Sequence, residues 1–211
     1  MPRGRRIYVP DLTVHVMNRG HNRAQVFDDD YDHEVFLTLL RRAMDRFGVQ
    51  VHGYALMKNH FHVQATPPNV TAIADSIGEI AQKYTGYYNR KHERIGSVWN
   101  GRYKSVLIED EYQWLRCLKY IDLNPVRAHI VERPQDYRWT SFRAHGLGIG
   151  GDWLVEHEVF QGLAPTAEER HAIYRAHCAE PFTAAELTLQ RYPLRLEAEA
   201  DAAEVFDVEV A

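Results

Sequence analysis

His60-Phe61-His62 sets two imidazoles two residues apart within Tyr54-Ala-Leu-Met-Lys-Asn-His-Phe-His-Val-Gln-Ala-Thr66, a stretch with the character of a β-strand. Side chains i and i+2 of a strand point the same way, so both rings can reach one metal ion while Phe61 turns toward a core. With 12 histidines in the chain such a triplet also arises by chance, as polar residues on a half-exposed strand. A second element strengthens the chemical reading: in Leu118-Lys-Tyr-Ile-Asp-Leu-Asn-Pro-Val-Arg-Ala128, Tyr120 and Asn124 lie four apart and share one face of a helix. Two imidazole nitrogens and an amide oxygen would hold a divalent cation with positions left open for a phosphate. Tyr120 would then attack phosphorus in line, the 3′-hydroxyl would leave, and a 5′-phosphotyrosine would conserve the bond energy for rejoining without ATP. A phenol with a pKa of about 10 starts roughly 4 kcal/mol short of an anionic nucleophile at neutral pH. Lys119 adjoins Tyr120 and on a helix points elsewhere, so the sequence identifies no base.

These residues must be positioned by a fold. Asp11 to Met17 has the β-branched content of a strand and ends at the turn Asn18-Arg-Gly20. Tyr31 to Phe47 repeats Val35, Phe36, Leu39, Leu40, Ala43 and Phe47 at helical spacing, with Gly48 as a C-cap. Strands are expected over Val49 to Met57 and His60 to Thr66, joined by Lys58-Asn59 and stopped by Pro67-Pro68. Val70 to Arg90 reads as a second helix interrupted by Gly78 and Gly86. Gly96 to Trp99 and Tyr103 to Ile108 form a return strand or hairpin, and Glu111 to Leu123 a third helix closed by Asn124-Pro125. The order β-α-β-β-α-β plus a helix is the ferredoxin-like pattern: an α+β fold with an antiparallel sheet, helices on one face and the other face open as a platform.

Length and composition are those of one soluble domain with an appendage. No apolar run approaches the ~20 residues of a membrane span, and Met1 to Arg6 leads into no signal-peptide core, so a cytoplasmic location is expected. Cys117 and Cys178 offer neither a disulfide framework nor a thiolate zinc site. Residues 1–144 carry 21 Lys and Arg against 16 Asp and Glu, whereas residues 145–211 carry 4 against 13, which confines any phosphate-binding patch to the first part. Thr166-Ala-Glu-Glu169 is a capping-box start for a helix to about His177. The domain reading is a nuclease-type domain over 1–145, a short helical extension over 146–193 and an acidic, frayed tail over 194–211.

Several stretches together resemble the REP-associated tyrosine transposases, a branch of the single-tyrosine HUH transposases of insertion sequences. They run from Val14-His-Val-Met-Asn-Arg-Gly20 through Asn22-Arg23, Met57-Lys-Asn-His-Phe-His62 and Tyr88-Asn-Arg90. Gly96-Ser-Val-Trp-Asn-Gly-Arg-Tyr-Lys104, Tyr120-Ile-Asp-Leu-Asn-Pro-Val-Arg-Ala128 and Pro134-Gln-Asp-Tyr-Arg-Trp-Thr-Ser141 continue the likeness. It covers about residues 5–145. The resemblance implies metal ligands at His60, His62 and Asn124, a nucleophile at Tyr120, Mg²⁺ or Mn²⁺ as cofactor, and single-stranded DNA folded into hairpins of repetitive extragenic palindromes as partner. Imidazole suits softer metals than Mg²⁺, which makes Mn²⁺ a compromise. Lys58 stands where the family usually has proline, and the acidic end does not resemble the family.

Trp99, Arg102, Tyr103 and Lys104 mix aromatic and basic residues as single-strand binders do; core packing with solvated charge is the plain alternative. Arg127 and the arm Arg3, Arg5 and Arg6 are further DNA-binding candidates. Tyr84 and Tyr88 share a helix face and rival Tyr120 as nucleophile. Asn124 before proline is also ordinary turn chemistry. His15 and His52 read as structural or exposed. The competing functions are a non-cutting nucleic-acid-binding regulator on the same fold and a zinc hydrolase that uses water. One tyrosine per chain suits a monomer or a homodimer.

Overall fold

In the computed structural model the described residues are 8–183. Arg3, Arg5, Arg6 and the tail over 194–211 lie outside them. Four strands, β1 (Val14–Arg19), β2 (Gln50–Met57), β3 (His60–Thr66) and β4 (Lys104–Leu107), form one antiparallel sheet in the order β2-β3-β1-β4. This is the order expected of the split β-α-β-β-α-β pattern. The N-terminal strand starts at Val14 rather than Asp11, whose φ of 62° breaks extension. Residues 96–99 make no strand; only Trp99 bridges to Gly20.

Period-2 alternation sends Val14 and Val16 of β1 and Phe61, Val63 and Ala65 of β3 into one core, closed by α1 (Asp30–Arg46) and α2 (Ala72–Lys91). Asp29 caps α1 by accepting from the Asp32 amide. The helix α2 runs unbroken because Gly78 and Gly86 face open space, where a glycine costs propensity but no packing.

The second face is not open. The helix α3 (Glu111–Asp122), capped by Asp110, packs on β2 and β3. A short turn α4 (Asn124–Arg127) follows at once, with Pro125 at its first turn, where proline starts a helix rather than ending one. Behind α3 lie α5 (Phe142–Leu147), α6 (Glu158–Gln161) and α7 (Ala167–Ala179), and the predicted Thr166/Glu169 capping box opens α7. Leu118, Phe142, Phe160 and Tyr174 form a second core there. Asp122, fully buried on α3, accepts from Ser141 Oγ (2.6 Å), His145 Nδ1 (3.1 Å) and Tyr174 Oη (2.8 Å), so one carboxylate binds both α5, through its N-cap Ser141 and His145, and α7 to α3. The boundary expected at residue 145 falls inside α5, and residues 146–182 are joined to α3 rather than appended to it. No helix among the described residues is long and apolar enough to cross a membrane.

Candidate active site

The hairpin β2-β3 turns through only two residues, Lys58 and Asn59, with Met57 opposite His60. That turn is pinned to the loop after β1: Val26 and Phe27 amides donate to the Lys58 carbonyl, and the Gly20 amide to the Asn59 carbonyl (2.7 Å). A Cβ on Gly20 would stand 2.2 Å from the Ala24 carbonyl oxygen, so only glycine permits the approach. The chain then passes through left-handed conformations at Asn22 (φ 51°) and Arg23 (φ 58°), two adjacent non-glycine positions of the kind held only when their surroundings enforce them. The result places Arg23 beside the start of β3.

On β3 the side chains opposite Phe61 and Val63 are His60, His62 and Gln64; on β1 their neighbours across the ladder are Arg19, Met17 and His15. The centroids of His60 and His62 are 5.0 Å apart, and the Tyr120 ring stands edge-on to His62 at 5.6 Å and to His15 at 6.0 Å. Tyr120 and Asn124 line one cavity of about 320 Å³ with His60, His62, Arg19, Arg23 and Arg127. The four residues expected to do chemistry thus converge. The Arg127 guanidinium lies 4.7 Å from the Tyr120 ring centroid and 5.3 Å from that of Phe182, between the two. Lys119 is buried, with its ammonium over the Phe182 ring at 4.9 Å.

Burial sets the protonation of the imidazoles. It pulls His60 down to about 4 against an opposing interaction with Asn124, pulls His15 to about 4, and holds His62 well below its usual range with help from neighbouring positive charge. All three are therefore neutral at pH 7 and keep a lone pair. His60 Nδ1 bonds Asn59 Oδ1 (2.7 Å) and His62 Nδ1 bonds His15 Nε2 (2.8 Å), which leaves the Nε2 atom of each as its remaining donor nitrogen. This donor chemistry fits a divalent cation held by His60, His62 and the Asn124 amide. A different group, Asp28, Asp32 and His92, brings its donor atoms within 4.8 Å, yet Lys91 already pairs with Asp32 (2.7 Å) and Tyr88 with Asp28 (2.9 Å). A groove of about 600 Å³ along α1 and β2, lined by Arg41, Arg42 and Trp153, lacks any such donor set.

The rival tyrosines lie elsewhere. Tyr84 and Tyr88 are buried in the helix-side core, bonded to the Val26 carbonyl and to Asp28; burial pushes Tyr84 far up and Tyr88 to about 12. Trp99 corrects the stacking expectation: it is 4% exposed among Phe36, Phe61 and Tyr84 and offers no face to a base. Tyr103 is buried too, its hydroxyl accepting from Tyr8 (2.8 Å). Arg102 is exposed at a separate cavity beside α2, while Lys104, opposite Met17, shares the sheet face of the histidines. His15, Asn59, Arg19 and Arg23 were not singled out from sequence. Only the β1-β3 register, which no local spacing records, brings His15 to His62.

A model of the IS200-like transposases matches residues 8–124, more than half of the chain, and the chain belongs to that family. The matched stretch ends at Asn124 and so contains His15, Asn59, His60, His62 and Tyr120. A curated relative from Haemophilus influenzae, named among the REP-associated tyrosine transposases, is 24% identical over 131 residues, spanning 57% of this chain and 74% of the relative. A solved REP-associated tyrosine transposase, bound to a REP hairpin, superposes with a TM-score of 0.57 at 17% identity over 74% of this chain and 93% of its own. The fold is shared, and the likeness to REP-associated tyrosine transposases expected from the motifs is borne out.

Proposed function

We propose that this protein is a single-strand-specific DNA endonuclease and strand transferase acting on hairpin DNA through a 5′-phosphotyrosine at Tyr120. The observation that carries the proposal is the convergence of Tyr120 with two neutral imidazoles, Asn124 and three arginines in one cavity. The relative solved with a REP hairpin supports hairpin DNA as the partner.

Arg19, Arg23 and Arg127 bring positive charge to the cavity, which draws in a phosphodiester and offsets charge developing on its oxygens. The Tyr120 oxygen forms the new bond to phosphorus as the bond to the 3′-oxygen breaks, and the phenol loses a proton as the departing 3′-oxygen takes one up to become the 3′-hydroxyl. The edge-on packing of His15 and His62 holds the phenol ring in one orientation. His60, His62 and Asn124 would hold Mg²⁺ or Mn²⁺, which supplies Lewis-acid stabilisation of the phosphoryl group. Lys104, on the sheet face of the histidines, would meet the flanking strand.

The test is a denaturing gel of protein with Mn²⁺ and end-labelled single strands from palindromes flanking its gene. The proposal expects a protease-sensitive labelled adduct with wild type and none with Tyr120→Phe or His60→Ala/His62→Ala. Binding in a mobility-shift control without cutting or linking would favour a regulator. Cleavage retained by Tyr120→Phe would favour water as the nucleophile.

A further inference from the structure

The two imidazoles at the centre of the site are each held at Nδ1 by a different neighbour. For His60 the neighbour is Asn59, whose own Nδ2 donates to the Arg23 carbonyl (3.1 Å). That bond fixes the amide so that Oδ1 faces the ring, and a carbonyl oxygen only accepts. His60 must therefore carry its proton on Nδ1. For His62 the neighbour is His15 Nε2 at 2.8 Å, and an imidazole pair admits two arrangements. If His15 donated, the proton of His62 would sit on Nε2 and cap the nitrogen needed for a cation. If His15 accepts, the His62 proton sits on Nδ1 and Nε2 keeps its lone pair, the same arrangement as in His60, whose other hydrogen-bond neighbour is Asn124.

We propose that His15 and Asn59 are positioning residues that lock His62 and His60 as Nδ1–H tautomers and so present both Nε2 lone pairs to one divalent cation. The inference rests on the reading that His60 and His62 are ligands. Each lock comes from outside β3. His15 is delivered by the β1-β3 register, and Asn59 is oriented by the carbonyl of Arg23, which the left-handed turn after Gly20 places. His15 also stands edge-on to Tyr120, so one side chain orients a ligand and the nucleophile together. Such neighbours raise ligand basicity and remove rotational freedom that metal binding would otherwise have to suppress.

The experiment has two readouts. Long-range ¹H–¹⁵N spectra of histidine-labelled, metal-free protein report the tautomer of each ring. Titration with Mn²⁺, followed by electron paramagnetic resonance, reports affinity without DNA or turnover. Wild type is expected to show Nδ1–H at His60 and His62. His15→Ala and Asn59→Ala should each weaken Mn²⁺ by about 10- to 100-fold, while His15→Gln, which keeps an accepting oxygen near the lost nitrogen, should recover most of the loss. Asn59 lies on a partly exposed turn, so its variant separates the lock from any folding defect caused by emptying the buried His15 position. Nε2–H at His62, or unchanged Mn²⁺ affinity in folded His15→Ala and Asn59→Ala, overturns the lock. If His62→Ala binds Mn²⁺ as wild type does, the ligand reading itself fails, a result distinguishable from failure of the lock alone.

Discussion

The two faces of the sheet are built from the same strands yet obey opposite rules. Toward α1 and α2, β3 presents Phe61, Val63 and Ala65, packed against Phe36, Tyr84 and Trp99 with little polar content. Toward α3 the same strand presents His60, His62, Gln64 and Thr66, each near a polar partner: Asn59, His15, the Trp114 carbonyl, and Thr13 with His52. One face supplies stability through apolar burial; the other buries a polar row whose groups must be satisfied one by one. Because every second residue belongs to each face, a strand can carry chemistry on one side without losing its core on the other.

The widest separation between the faces should come from paired truncations on β3. Phe61→Ala is expected to lower unfolding free energy by about 3–5 kcal/mol, whereas His62→Ala should cost below about 2 kcal/mol yet abolish adduct formation; denaturant titration beside the gel assay measures both. Comparable stability losses would break the contrast.

Asp122 tests how the site face is held down. Asp122→Ala leaves Ser141, His145 and Tyr174 without their shared acceptor, and a loss of about 2–4 kcal/mol is expected. Adduct yield should fall as well, because the carboxylate sits two residues from Tyr120 on α3. A stability loss with full activity would show that α7 is dispensable for placing the nucleophile.

Protons probe the polar row from another side. Burial lowers His52 to about 4 from an ordinary 6.5, so between those values the unfolded chain binds more protons than the folded one. Stability should therefore fall as pH drops from about 6.5 to about 4 and level off below. Denaturant midpoints against pH would show the slope, and His52→Gln should flatten part of it.

The smallest expected effect is at the rim. If Arg23 meets a phosphate, Arg23→Ala should reduce the slope of log affinity against log salt by about 0.7 for single-stranded DNA. Fluorescence anisotropy at several salt concentrations measures it. An unchanged slope would place the strand away from the left-handed turn.

Much of this architecture is legible in the sequence, since β3 alternation, the spacing within α1 and α3, and the Thr166 capping box are local signals. The Tyr120–Asn124 spacing is local as well, while its pairing with the His60-Phe61-His62 triplet rests on the resemblance of the motifs. What escaped depends on contacts between distant segments. His15 has no spacing partner and acquires its role only through strand register. Trp99 sits among aromatic and basic residues in sequence but packs into the core through Phe36 and Tyr84, which lie far away along the chain. The open platform was lost because α3, following the fourth strand, folds back over the histidine face.

The account turns on which atom takes the phosphoryl group, and peptide mapping of the trapped adduct reads this directly. Wild-type protein would be incubated with Mn²⁺ and a hairpin oligonucleotide, digested with trypsin and nuclease, and analysed by mass spectrometry. The account predicts a nucleotide remnant on the peptide Tyr120–Arg127, localised to Tyr120. A remnant on the peptide bearing Tyr84 or Tyr88, or cleaved DNA with no peptide attached, would contradict it.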